Sequence, residues 1–260
     1  MLSRISRKLH RSGVRGVVAS TLRHTADQLE KSNRHAASSY GHENEFIKWV
    51  RFAVPGMLRE SNIDAMDHAI AGMPPGKPMM EIGSFCGLST VVLSHLLARH
   101  SRSVPLFTCD KWEFEGQELG TPLADSRVVT HDRYQSYVKE TFRRTMEAFN
   151  PDRLPHTIEC VSDDFFRYWS EHRTMVDVFG RSVALGGEIS FCYIDGNHSY
   201  DFSKRDFENT DRVLVSGGFI LFDDSGDDST WEVNRLVREI ASGSAYELIS
   251  RDPNYLFRKK

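Results

Sequence analysis

Acidic residues recur in this chain wherever an apolar run ends. Glu81 lies in the run Met79–Ile82, Asp110 follows Pro105–Cys109, and Asp163-Asp164 follows Thr157–Val161. Asp195 then follows Ile189–Ile194, and Asp223-Asp224 follows Phe219–Phe222. Surface acids are common, but one acid at the end of every apolar run is a costly concentration of like charge. Such a set calls for cations or ligand hydroxyls as partners. Beside the first acid stands a small-residue turn, Gly83-Ser84-Phe85-Cys86-Gly87, and Leu88–Leu97 follows with helical apolar spacing. A turn of this kind presents backbone N–H groups at a helix N-terminus.

These residues work together only if the chain brings the run ends to one edge. Met79–Thr90 reads as strand, tight glycine turn and helix. Its glycines stand four apart, unlike the dinucleotide fingerprint G-x-G-x-x-G. Helices are expected over Phe46–Arg59, Ile63–Met73, Leu88–Arg99, Tyr134–Phe149, from about Asp163, over Ser203–Val215 and over Trp231–Ser242. Strands are expected at Pro78–Ile82, Pro105–Cys109, Thr157–Val161, Ile189–Ile194 and Phe219–Phe222, with a closing hairpin at Tyr246–Ser250 and Tyr255–Arg258. Lys111–Arg133 has no clear period and reads as a lid or substrate loop, and Gly180–Glu188 reads as a second loop. Asp227-Asp228 is expected to cap the last helix. Alternating strands and helices imply a mostly parallel sheet with helices on both faces, and ligands of such sheets bind beyond the carboxyl ends of the strands.

The segment MMEIGSFCGLST resembles motif I of the class I S-adenosylmethionine (SAM) methyltransferases, E/D-x-G-x-x-x-G. Tyr193–Asp206, YIDGNHSYDFSKRD, followed by Gly217-Gly218 and Asp223-Asp224, narrows the likeness to small bacterial O-methyltransferases. Among these it is similar to the macrocin and mycinamicin sugar O-methyltransferase group (methyltransferase family 24-like) and, further off, to the catechol and caffeoyl-coenzyme A enzymes. The resemblance spans about Met79 to Asp224. It implies an α/β, Rossmann-like fold with a seven-stranded, mostly parallel sheet and a C-terminal antiparallel hairpin.

For the cofactor, the resemblance implies SAM held by Glu81, Gly83, Ser84, Gly87, Ser89 and Thr90, by Asp110 at the ribose hydroxyls and by Asp163, or Asp164 in the alternative register, at the adenine amino group. Trp112 either packs on the adenosine or anchors its loop, and Asp195 joins the cofactor set. Asp195, Asp223 and Asp224 are the positions that bind Mg2+ in relatives, and three hard carboxylate oxygens suit that ion; the alternative is that Asp223-Asp224 caps the loop behind it. An acid two residues after the first metal aspartate serves several sugar enzymes as base, but this chain has Asn197 there. His198 is then the candidate base, or else holds Asp195 in its turn, and His131 in the lid loop is the second candidate. The Trp112, Phe114, Glu113, Glu115, Glu118 and Asp125 insertion suits a carbohydrate acceptor, a glycoside or glycan precursor. The alternatives are a catechol-type acceptor, a relative of the cephalosporin hydroxylases and a non-catalytic SAM-binding subunit.

Composition bounds these readings. The 260 residues, 40% hydrophobic and 27% charged, suit one sizeable globular domain, assigned to 46–260 behind a 1–45 arm. Residues 1–26 hold six basic residues and no acid, so the remainder carries −9 of a total −3. With Ile5, Leu9, Val14, Val18 and Leu22 at helical spacing, the arm reads either as packing on the body or a second subunit, giving a homo-oligomer, or as peripheral attachment to an anionic membrane surface. Nucleic acid is not an expected partner, because the edge that would do the chemistry is acidic. Cys86, Cys109, Cys160 and Cys192 lack disulfide or metal spacing and read as reduced thiols of a cytoplasmic protein.

Overall fold

The computed structural model describes residues 41–114 and 118–260. The expected basic arm, and Glu115 of the loop, lie outside the described residues. Among the described residues, a 3-10 turn at Gly41–Glu43 precedes seven α-helices: α1 (Glu45–Ala53), α2 (Glu60–Gly72), α3 (Leu88–Arg99), α4 (His131–Phe149), α5 (Ser162–Ser170), α6 (Tyr200–Val213) and α7 (Val233–Ser242). The strands are β1 (Met79–Ile82), β2 (Leu106–Cys109), β3 (His156–Ile158), β4 (Thr174–Val176), β5 (Ser182–Ala184), β6 (Ile189–Ile194), β7 (Leu214–Phe222), β8 (Tyr246–Arg251) and β9 (Tyr255–Lys259).

One seven-stranded sheet carries the order β3-β2-β1-β6-β7-β9-β8. Its first five strands run parallel, and β9 and β8 return antiparallel. The parallel strands are buried on both faces, which is why β6, ISFCYI, reads as an unbroken apolar run. Alternate residues feed two cores. Phe191 and Tyr193 join the side chains of α1–α4, whereas Cys192 and Ile194 join Phe165, Phe166 and Trp169 of α5 and Leu236, Val237 and Ile240 of α7.

Several bounds differ from the sequence reading for local reasons. α1 starts where the Asn44 side chain accepts the N–H groups of Phe46 and Ile47, and it stops at Ala53. Val54 precedes Pro55 and is extended there, so the helix cannot run on to Arg59. The loop from Gly180 contains a strand: β4 and β5 pair as a small antiparallel hairpin. Its turn is set by Asp177, whose carboxylate accepts the N–H groups of Phe179 and Arg181. Asp227 does not cap a helix. It accepts from the Tyr255 hydroxyl at 2.6 Å and pairs with Arg251 at 3.1 Å, pinning the C-terminal hairpin, and α7 begins at Val233 without a side-chain cap.

The order of strands reverses at β1, between β2 and β6, so the switch point opens where β1 and β6 end. Gly83 sits at that point with φ +85°, and a Cβ built on it would lie 2.0 Å from the Asp195 carbonyl oxygen. Left-handed backbone costs an L-residue about 1–2 kcal/mol before any overlap is counted. Gly83→Ala is therefore expected to lower stability by at least about 2 kcal/mol in urea unfolding; an unchanged midpoint would contradict this packing.

Candidate active site

Strand register, more than any single motif, assembles the site. Ile82 pairs with Cys109 on one side and Ile194 on the other, and Ile194 pairs with Phe222. The next residue of each strand continues the ladder: Gly83 N–H bonds Cys109 O at 3.0 Å, Asp195 N–H bonds Ile82 O at 2.8 Å and Asp223 N–H bonds Ile194 O at 2.9 Å. Asp110, Gly83, Asp195 and Asp223 thus stand in one row across the carboxyl edge. Asp163 falls outside it. It lies in the first turn of α5, exposed, and pairs with Arg205 of α6 at 3.0 Å, while Asp164 pairs with Arg167 at 2.7 Å.

The glycine turn is tied to the row by two carboxylates. Asp110 accepts the N–H groups of Ser84 at 2.8 Å and Phe85 at 2.9 Å on one oxygen and that of Trp112 at 2.6 Å on the other. A carboxylate has about four acceptor positions, so one remains for a ligand hydroxyl. Glu81 is fully buried, and one of its oxygens accepts the hydroxyls of Ser84 and Thr90, while the other is buried without a partner. Burial pushes its carboxyl up to about 7 against the pull of Ser89, Thr90 and Ser84. Gly87 takes φ +93° as α3 begins, with Met146 and Phe142 of α4 closing over it. Trp112 is 1% exposed, its indole N–H donating to Phe85 O at 2.9 Å and its ring against Phe142. The protein itself covers this ring, which anchors the start of the loop.

At the other end of the row the acids crowd one another. Burial, then Asp223, Glu81 and Asp224, push the Asp195 carboxyl well above the usual range. Asp224, at φ +48°, is raised by burial and by Asp223, with His198 and Arg59 opposing. His198 Nε2 lies 3.8 Å from both Asp195 Oδ1 and Asp224 Oδ2. Asn197 spends its side-chain oxygen on the N–H of Ser199 at 2.8 Å.

Oxygen donors from three carboxylates match the chemistry of Mg2+. Their present geometry is not a ready cage: among the described residues no three or more His, Cys, Asp or Glu side chains are arranged to hold a metal ion. Asp223 Oδ1 accepts the amide N–H groups of Asn62 and, at 2.7 Å, Asn254. His131 stands at the first residue of α4 and not within the loop; it is buried, and its N–H donates to Thr121 O at 3.0 Å.

Asn62 and Asn254 were not singled out by the sequence reading, yet they are 1% and 3% exposed and join α2 and the β8–β9 turn to Asp223. A signal existed for the first: Asn62 interrupts the buried stripe of Ile63, Met66, Ala69 and Ile70 on α2. Asn254, in Asp252-Pro253-Asn254, reads only as a turn residue. Asp206, which the sequence places in its helix without a role, is 2% exposed with Oδ1 buried and unpartnered, and burial pushes its carboxyl up to about 7 against the pull of Ser162.

A family model described as a methyltransferase domain matches residues 80–225. The O-methyltransferase NovP superposes with a TM-score of 0.54 at 15% identity, covering 79% of this chain and 81% of its own. An O-methyltransferase from Bacillus cereus, solved with S-adenosylhomocysteine (SAH), gives 0.52 at 14%, covering 84% and 91%. The SAH-bound Podospora anserina methyltransferase PaMTH1 gives 0.53 at 13%, covering 89% and 96%. At these identities the likeness establishes the fold. No curated protein matches the chain.

The raised carboxyls make a prediction. Glu81 and Asp206 keep their protons when folded up to about 7 but lose them near their ordinary values when unfolded. The native state then binds more protons, so their contribution to stability falls as pH rises from about 4 to about 7. Glu81→Gln and Asp206→Asn are each expected to flatten the fall of unfolding free energy across that window. Variants with the wild-type slope would show that these groups ionise freely in the folded protein.

Proposed function

Because the chain belongs to the methyltransferase-domain family whose model spans more than half of it, we propose that it is a SAM-dependent O-methyltransferase acting on a sugar hydroxyl. The acceptor in this reading is a glycoside, glycolipid or polysaccharide precursor. The observation that carries the transfer chemistry is the row of Asp110, Gly83, Asp195 and Asp223 at the switch point, where a sheet of this topology binds its ligand. The sugar assignment rests on the sequence resemblance around Tyr193–Asp224 and on the aromatic and acidic residues of the 111–130 segment.

Asp110 uses its remaining acceptor position for a ribose hydroxyl and, through three backbone N–H groups, fixes the turn on which the donor lies. SAM supplies an electrophilic sulfonium methyl, and the acidic edge favours that cation over a neutral product. His198 holds the proton lost by the acceptor hydroxyl at Nε2, with Asp195 and Asp224 beside it to stabilise the resulting charge. Mg2+ belongs to this reading as the ion that Asp195, Asp224 and the second oxygen of Asp223 would hold. When bound it supplies direction and a lowered proton affinity to the acceptor oxygen. Asp195 and Asp224, whose carboxyls are raised by burial and then by the neighbouring Asp223, are the support for it.

Two outcomes are expected. Asp110→Ala should weaken SAM binding by about 1–3 kcal/mol in calorimetry; unchanged affinity would remove Asp110 from the donor site. In an SAH-release assay over glycosides, catechols and nucleosides, turnover is expected on a glycoside. EDTA, or Asp223→Ala, should abolish that turnover and leave SAM affinity intact. Turnover confined to catechols would overturn the sugar assignment, and full activity in EDTA would remove the metal.

A further inference from the structure

Of the four tryptophans, Trp112 and Trp169 are each 1% exposed and buried in the core, and Trp49 lies on α1 against Phe149. Trp49 and Trp231 are both exposed, at 59% and 47%, and Trp231 is the one beside the acidic row: its ring centre lies 5.4 Å from the His198 imidazole, the group that faces Asp195 and Asp224. An indole left half in water forgoes the burial that ordinarily repays its large apolar surface.

Its position is nevertheless fixed. Trp231 N–H bonds Ser229 Oγ at 3.2 Å, and Asn234 N–H bonds Trp231 O at 3.3 Å. The two following residues lock this segment to the His198 turn: the Glu232 carboxylate accepts Tyr200 N–H at 2.9 Å, and Val233 N–H bonds His198 O at 3.0 Å. Each segment thus satisfies an orphan N–H at the start of the other's helix. The result is a preorganised aromatic surface next to partly exposed carboxylates, Asp195 and Asp224, with 27% and 34% of their side chains accessible.

We infer that Trp231 is the stacking wall of the acceptor site and receives a neutral pyranose ring, whose hydroxyls face Asp224 and Asp195. This rests on the methyltransferase reading and deepens it by naming a residue that selects the acceptor. The C–H face of a pyranose is apolar and suits an indole, while its hydroxyls donate to carboxylates, which only accept. A ring bearing phosphate or carboxylate would meet repulsion from the same acids wherever no Mg2+ is held between them. A flat phenol would stack as well but brings fewer donors for the carboxylates.

Indole N–H resonances of the 15N-labelled protein read this directly, with the Trp231 signal identified by its loss in Trp231→Phe. Titration with methyl glycosides of hexoses and deoxyhexoses is expected to shift that signal saturably and leave those of Trp112 and Trp169 in place. Trp231→Ala should weaken glycoside binding, followed at the backbone amides of the His198 turn, by roughly five- to tenfold, and Trp231→Phe should restore most of it. SAM affinity should be the same in all three proteins. A Trp231 signal unmoved by every glycoside, or moved by catechol alone, would overturn the inference. The readout needs no turnover, so absence of SAM binding by the unmodified chain would overturn the methyltransferase reading separately.

Discussion

Four carboxylates, those of Glu81, Asp110, Asp195 and Asp223, stand within one residue of the ends of adjacent parallel strands, and their burial side by side is the constraint on which the site depends. Bringing such groups out of water is costly unless each is hydrogen-bonded or shares its proton. The chain meets this with neutral donors. Asp110 takes three backbone N–H groups, Glu81 takes hydroxyls, and Asp223 takes two carboxamides, while burial beside the other acids pushes the Asp195 carboxyl up. The acids are held in place by these neutral groups, and no Lys or Arg among the described residues forms a salt bridge with any of the four, which leaves their oxygens directed at whatever enters the edge.

The same compensation draws distant parts of the chain to the site. Asp223 is held by Asn62 of α2 and by Asn254 of the C-terminal hairpin, and Asn254 also donates to Asn62 at 2.9 Å and accepts Ser225 N–H at 2.9 Å. Asp227 then binds the hairpin through Tyr255 and Arg251. The antiparallel hairpin, which would otherwise be only an edge of the sheet, therefore positions the acid at the end of β7. On the far side of the row, the Trp231–Val233 and His198–Tyr200 segments bracket one another, so His198 keeps its place between Asp195 and Asp224.

Much of this was legible in the sequence, for physical reasons. Strands buried on both faces must be continuous apolar runs, so β1, β2 and β6 could be placed almost to the residue, and the acids ending them could be foreseen at one edge. α3 was bounded by Gly87 before it and by the end of its apolar pattern. The β4–β5 hairpin was not legible because Thr174 and Val176 are exposed and three-residue strands carry no readable period. Asp163 was placed with the row by its position after an apolar run, but β3 ends at Ile158 and the chain has already turned into α5. The roles of Asn62 and Asn254 arise from packing between segments 192 residues apart, which no local pattern reports.

The most direct measurement of the account is a crystal structure of the protein bound to SAH. The account predicts the ribose beside Asp110, the amino-acid end over the Gly83–Gly87 turn, and the sulfur directed toward the edge formed by Asp195, His198 and Asp224. Density for the nucleoside elsewhere, with this row of acids facing only water, would contradict it.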